Sequence, residues 1–184
     1  NICNRNGYKI EDASMWFDYM DMLAYFNLDT HNSRYVCPQD LKAEHDKLVK
    51  RKRRIESKRK LEERLKEASQ WEKEYKKEKG RFFGLYINAE DIVITVLQSV
   101  SEFVEEAEIM HHCVYSNQYF KKKDSLILSA KDKEGKHLET VELNLATMQV
   151  VQSRGVCNKN TEYHNRIIGL VKQNIGLIRK KMAS

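Results

Sequence analysis

The chain has 184 residues, 41% of them hydrophobic and 33% charged, enough apolar material for one compact core or two small ones and too much for a chain disordered throughout. No run approaches the roughly 18 to 20 uncharged residues of a membrane-spanning helix, and the start lacks the basic, apolar and small-residue regions of a signal peptide; a soluble, cytoplasmic protein is expected. The formal net charge is +6, and the opening on Asn1 in place of methionine reads as part of a longer chain.

Four cysteines (Cys3, Cys37, Cys113 and Cys157) at wide, irregular spacings, with no C-x-x-C pair, predict reduced thiols and not a disulfide framework. Seven glycines and one proline force few turns and favour long helices. In chain order, Trp16, Tyr19, Met20, Leu23 and Phe26 recur at three-four spacing and predict a short amphipathic helix beginning near Asp12. Polar residues from Asn27 to Cys37 predict a loop, and Pro38 suits the first turn of a second helix angled or antiparallel to the first.

Residues 38–81 hold 17 Lys or Arg against 10 Asp or Glu, a local net of +7 that accounts for the whole positive balance. They are rich in strong helix formers and predict one rod of about 40 residues, about 60 Å long. Leu41, Leu48 and Ile55 repeat every seven residues, so a dimerising coiled coil is one reading of this rod. Its densest cationic run is Lys50, Arg51, Lys52, Arg53 and Arg54, followed by Lys58, Arg59 and Lys60. A solvated, charge-interspersed helix and a helix that contacts nucleic-acid phosphates are the competing readings. No aromatic residues interleave the run, so base stacking on this helix is not expected.

Beyond Gly80 the pattern changes. Residues 82–87 predict a short strand, and Val93, Val96, Leu97, Val100, Phe103, Val104 and Ala107 predict the buried face of a helix running to about His112. Its other face is assigned Glu102, Glu105, Glu106 and Glu108. Residues 125–131, 138–145 and 148–154 predict an antiparallel meander, turning at 132–136 and at 146–147. A C-terminal helix follows from the stripe His164, Ile167, Ile168, Val171, Ile175, Ile178 and Met182, with Thr161 or Asn160 as its cap. The expected fold is α+β: a helical arm over 1–81 with one long basic helix, then a module over 82–184 in which two helices pack a small antiparallel sheet of three to four strands.

Alternation along the middle strand sends Val141, Leu143 and Leu145 to the core and Thr140, Glu142 and Asn144 to the opposite face. With Val151 in the core, Gln152 and Arg154 join Glu142 in a polar patch, either a solvated cross-strand ion pair or one wall of a cleft. His111, His112 and Cys113 end the preceding helix beside it. Cys113 with His164 as base is one nucleophilic pairing, a zinc site from His111 or His112, Cys113, Cys157 and His164 is a second reading, and a packed thiol beside a hydrogen-bonded histidine is the third. No metal or cofactor is assigned. The loop from Ser153 to Asn160, with Gly155 free to take a positive φ, offers Arg154, Gly155, Asn158 and Lys159 as an anion site.

Taken together, Asp18-Tyr19, the segment from Pro38 to Asp46, Met110-His-His-Cys-Val114, residues 125–130, Glu139-Thr-Val-Glu142 and Val151-Gln-Ser-Arg-Gly155 with Asn158 resemble the PcfJ-like family. The resemblance spans nearly the whole chain. It maps the family's His-Cys, Thr-x-Glu and Gln-x-Arg-Gly-x-x-Asn positions onto His112, Cys113, Thr140, Glu142, Gln152, Arg154, Gly155 and Asn158. Cys157, where many relatives have Asn, and Tyr115-Ser116-Asn117, in place of Gly-Ser-Tyr, depart from the pattern. The resemblance implies a setting on conjugative plasmids, integrative elements or phages, with nucleic acid and other mobile-element proteins as partners. The leading expectation is a nucleic-acid-associated accessory protein; the alternative is a transferase or hydrolase using His112, Cys113, Glu142, Gln152 and Arg154.

Overall fold

A computed structural model describes residues 2–183. The chain divides between Glu62 and Glu63 into two compact units. The first contains α1 (Ile2–Arg5), α2 (Ala13–Tyr25), α3 (Ser33–Val36) and most of α4 (Leu41–Ser69). Its helices begin where short polar side chains replace missing backbone partners: Asp12 Oδ1 accepts from Met15 N (2.9 Å), Asn32 Oδ1 from Arg34 N (3.0 Å) and Asp40 Oδ1 from Ala43 N (2.9 Å). The predicted helix at Asp12 is therefore present, whereas Pro38 precedes α4 and the expected 27–37 loop contains α3. Tyr19 and Leu23 of α2 pack with Leu48 of α4, flanked by the half-buried Leu41. The first two seam leucines are thus used inside the chain, and Ile55 is left exposed.

The predicted rod is interrupted. After α4 the chain tightens, with Trp71 N bonded to Ala68 O and Ser69 Oγ donating back to Lys66 O, before α5 (Glu72–Lys79) begins. The interruption sets the position of Glu72, whose carboxylate accepts from Val100 N, Ser101 N and Ser101 Oγ, each at 2.9 Å, at the start of α6 (Val100–Met110).

The second unit is built on one antiparallel sheet in the order β1 (Tyr86–Asn88), β2 (Ile92–Val96), β3 (Ser125–Asp132), β4 (His137–Asn144) and β5 (Gln149–Arg154). There are five strands, not three to four. The meander and both its turns are where the sequence places them. The added strand is β2, whose residues were expected in the helix that leads to His112. Ile92-Val-Ile-Thr-Val96 is β-branched throughout and pairs with β3 from Ile92↔Asp132 to Val96↔Leu128. The helix starts only at Val100, capped by Ser99 Oγ accepting from Glu102 N (3.0 Å), while the Glu102 carboxylate accepts from Gln98 N (2.7 Å).

Strand alternation separates two chemistries. Ile94, Leu126, Leu128, Val141 and Leu143 form a buried cluster with Ile167 and Val171 of α7 (His164–Gln173) and Ile178 of α8 (Ile175–Ala183). The predicted C-terminal helix is thus two segments joined at Asn174. Neither Asn160 nor Thr161 caps it through a side chain; the residue before α7 is Tyr163, and Thr161 Oγ1 is turned to Glu139. The opposite sheet face, carrying Ile127, Ser129, Thr140 and Glu142, lies under α6 and the chain that follows it.

A bulge in β5 determines what reaches that second face. Glu142 pairs with Gln152 but Leu143 pairs with Val150, so Val151 is skipped. Val150 packs against the core and Val151 is 57% exposed, which reverses the inward placement expected for Val151 yet leaves Gln152 beside Glu142. At the end of β5, Gly155 has φ −89°, so the freedom to take a positive φ is not used and its need is steric. A Cβ there would stand 2.8 Å from Lys159 O and 3.0 Å from Leu138 O. Gly155→Ala is therefore expected to destabilise the protein by about 1–3 kcal/mol, read from urea unfolding followed by circular dichroism.

Candidate functional site

The chain leaves α6 through His111, which takes the left-handed conformation (φ 50°) at the helix C-terminus and turns His112 and Cys113 toward the polar sheet face. A pocket of about 190 Å³ opens there, lined by His112, Cys113, Val114, Asn117, Tyr119, Ile127, Thr140, Glu142, Gln152, Arg154 and Asn158. The five residues named as catalytic candidates from sequence, and two of the four named for anion binding, stand around this one pocket. Gly155 and Lys159 do not line it; Gly155 N instead donates to Lys159 O (2.8 Å) and closes the loop behind. The positive φ values of this loop, 54° and 61°, fall on Cys157 and Asn158.

Glu142 forms the floor. It is buried, yet Ser125 Oγ (2.7 Å) and Lys122 Nζ (3.0 Å) donate to one carboxylate oxygen and Gln152 Nε2 (2.8 Å) to the other. Burial by itself pushes this carboxyl up; the donors, Ser125 foremost, outweigh it and hold the group below the usual carboxylate range. The same Gln152 amide nitrogen donates to Tyr119 Oη (2.9 Å), which fixes the amide and turns its carbonyl oxygen away from Glu142. No Glu142–Arg154 ion pair forms. Arg154 Nη1 donates instead to Asn160 Oδ1 (2.8 Å), so a guanidinium without a carboxylate partner stands at the pocket, among the described residues.

Behind His112 lies a buried relay that sequence reasoning missed. Thr140 Oγ1 donates to Glu106, and His112 Nε2 is 2.8 Å from the same hydroxyl oxygen, so the ring nitrogen is the donor there. That assignment makes His112 Nδ1 the unprotonated nitrogen, and this atom is buried without a partner. Burial lowers the His112 pKa and keeps the ring neutral near pH 7. Glu106 was assigned to the solvated helix face, but it is fully buried and also accepts from Ser129 Oγ (3.0 Å) and stands 2.7 Å from His137 Nδ1. Its spacing from Phe103 (three residues before) and Met110 (four after), both buried, was the available signal.

The zinc and His164-base readings fail on geometry. His164 Nδ1 lies 2.9 Å from Glu139 Oε2, and Glu139 alternates with Thr140 and Glu142 onto the other sheet face. Among the described residues no group of three or more His, Cys, Asp or Glu is placed to hold a metal ion. Glu139 is the second buried carboxylate of β4: Thr161 N (2.7 Å), Thr161 Oγ1 (2.8 Å) and Ser153 Oγ also donate to it, and against the upward push of burial they lower its pKa.

The basic run lies in the first unit. At 100° per residue, Lys50, Arg53 and Arg54 stand on the side of α4 away from Leu41 and Leu48, with Lys58 and Lys60 at its margins. All five are exposed. Arg51 and Lys52 flank the packed side, where Arg51 Cζ lies 4.5 Å from the Phe26 ring centroid and Lys52 Nζ 4.7 Å from that of Tyr25. Among the described residues no carboxylate pairs with any of these seven cations, whereas Arg59 is already engaged within the chain.

Fold and site together define an α+β protein with helices on both faces of a five-stranded antiparallel sheet and a polar pocket under one of them. The family model described as PcfJ-like protein matches residues 15–168, and the chain belongs to this family. No curated protein and no solved structure matches it. Among the described residues no helix is long and apolar enough to cross a membrane.

The lowered carboxyls set an acid limit on stability. A carboxyl whose folded pKa lies below its unfolded value of about 4.3 stabilises the fold fully above that value and ceases to do so as pH falls through the folded one. Unfolding free energy measured in urea should hold near neutrality and decline from about pH 4–5 downward. Glu142→Gln should be less stable at pH 7 and show a shallower acid decline; an unchanged slope in this variant would show that Glu142 is not the group responsible.

Proposed function

We propose that this PcfJ-like protein is a nucleic-acid-associated accessory protein of a mobile genetic element, contacting phosphates through α4. The observation that carries the reading is the set of seven cations from Lys50 to Lys60 without carboxylate partners among the described residues, with Lys50, Arg53 and Arg54 on the side away from the packed face and Lys58 and Lys60 at its margins. Polyanion binding releases condensed counterions, so log K should fall linearly with log salt, by about 0.9 for each duplex phosphate contacted. In fluorescence anisotropy with a labelled DNA duplex, replacing Lys50, Arg51, Lys52, Arg53 and Arg54 by Gln should weaken binding and flatten the salt slope. Absence of binding by the unmodified chain at low salt, or an unaltered slope in the variant, overturns it.

The pocket supports a second reading, in which the α+β unit is an enzyme, a transferase or hydrolase acting on a phosphate-bearing substrate. Convergence of His112, Cys113, Glu142, Gln152 and Arg154 favours it. In this reading Arg154 engages the substrate anion, Glu142 supplies fixed negative charge at the floor, and neutral His112 is held in one orientation by Thr140 and Glu106. Labelled DNA and RNA oligonucleotides incubated with the full chain should be altered in length or mass, and Arg154→Ala should abolish the change while leaving the circular dichroism spectrum intact. Unaltered oligonucleotides would remove nucleic acid as the substrate of this pocket and leave the phosphate-binding reading standing.

A further inference from the structure

We propose that the end of α2 and the adjoining turns of α4 form a stacking site for single-stranded nucleic acid, with Tyr25, Phe26, Arg51 and Lys52 as its elements. The inference rests on the phosphate-contact reading above and adds the strand type. Along the sequence the basic run has no aromatic neighbours, yet the fold delivers two. Packing of Tyr19 and Leu23 against Leu48 brings the last turn of α2 beside α4, and the helix ends there, with Phe26 at its C-cap and Asn27 in the left-handed region (φ 53°). The Tyr25 and Phe26 rings meet edge to face, 5.0 Å apart at 86°.

Each ring carries a cation, Lys52 over Tyr25 and Arg51 over Phe26, within the range of a cation–π contact. Tyr25 nevertheless remains 45% exposed, beside cations that have no carboxylate partner among the described residues. A planar guanidinium resting on a ring extends the flat surface available to a base, and stacking on side chains requires bases that are not already stacked in a duplex. Phosphates of the same strand are then within reach of the cations that continue along α4. A duplex satisfies the cations alone; a single strand satisfies the cations and the rings.

The test compares a labelled oligo-dT strand with a mixed-sequence duplex on the full chain, using the unmodified protein, Tyr25→Ala and Tyr25→Phe. Tyr25→Ala should weaken oligo-dT binding about 5- to 100-fold and leave duplex binding within about twofold, while Tyr25→Phe, which keeps the ring, should match the unmodified protein. If both nucleic acids bind and Tyr25→Ala changes neither, or weakens both alike, the stacking inference falls while phosphate contact stands. If neither binds at low salt, the underlying reading fails as well. Circular dichroism and unfolding of both variants separate a lost ring from a lost fold.

Discussion

The second unit depends on keeping buried carboxylates satisfied. Glu139 and Glu142 project from opposite faces of the same central strand, and Glu106 descends onto it from α6; all three are almost wholly removed from water. An unpartnered carboxylate in such surroundings would be strongly destabilising, so each recruits donors, some from the paired strands and others from the segments beside them. Glu139 gathers Ser153, Thr161 and His164, and so fixes the loop into α7. Glu142 gathers Lys122, Ser125 and Gln152, joining three parts of the chain around the pocket floor. Glu106, through Thr140, sets the orientation of His112. The pocket is the space left between groups whose first obligation is to these charges.

That arrangement explains why the functional readings differ in kind. The pocket is preorganised: its floor carboxylate, amide and imidazole are already hydrogen-bonded, and Arg154 has no carboxylate partner among the described residues. The basic run on α4 is the reverse case: apart from Arg59, its side chains have no carboxylate partner among the described residues, and two of them rest against aromatic rings. Selectivity for a small molecule would come from the first, affinity for an extended one from the second.

How much of this could be read from the residues follows their periodicity. The meander was legible because residues 138–145 alternate and the turn before them carries Asp132 and Gly135. The Glu142–Gln152 juxtaposition was legible too, although for an incomplete reason, since a bulge and not simple alternation delivers it. Periodicity does not distinguish strand β2, because Val93, Val96, Leu97 and Val100 also fit a helical stripe; the Ser99-x-x-Glu102 cap is the sequence signal that the helix begins only after it. The interruption after Ser69 was invisible to propensity, because Gln70, Trp71 and Glu72 have no breaker among them. What decides it is tertiary, the use of Glu72 at the start of α6. The aromatic partners of Arg51 and Lys52 were hidden for the same reason, lying more than twenty residues away along the chain.

The edges of the sheet carry a last consequence. A five-stranded open sheet exposes two rows of unpaired backbone groups, each a template on which another copy could add a strand. Here β1 is only three residues long, and β5 is bent by the bulge at Val151. Neither edge presents a straight ladder of useful length on which a strand from a second copy could be added.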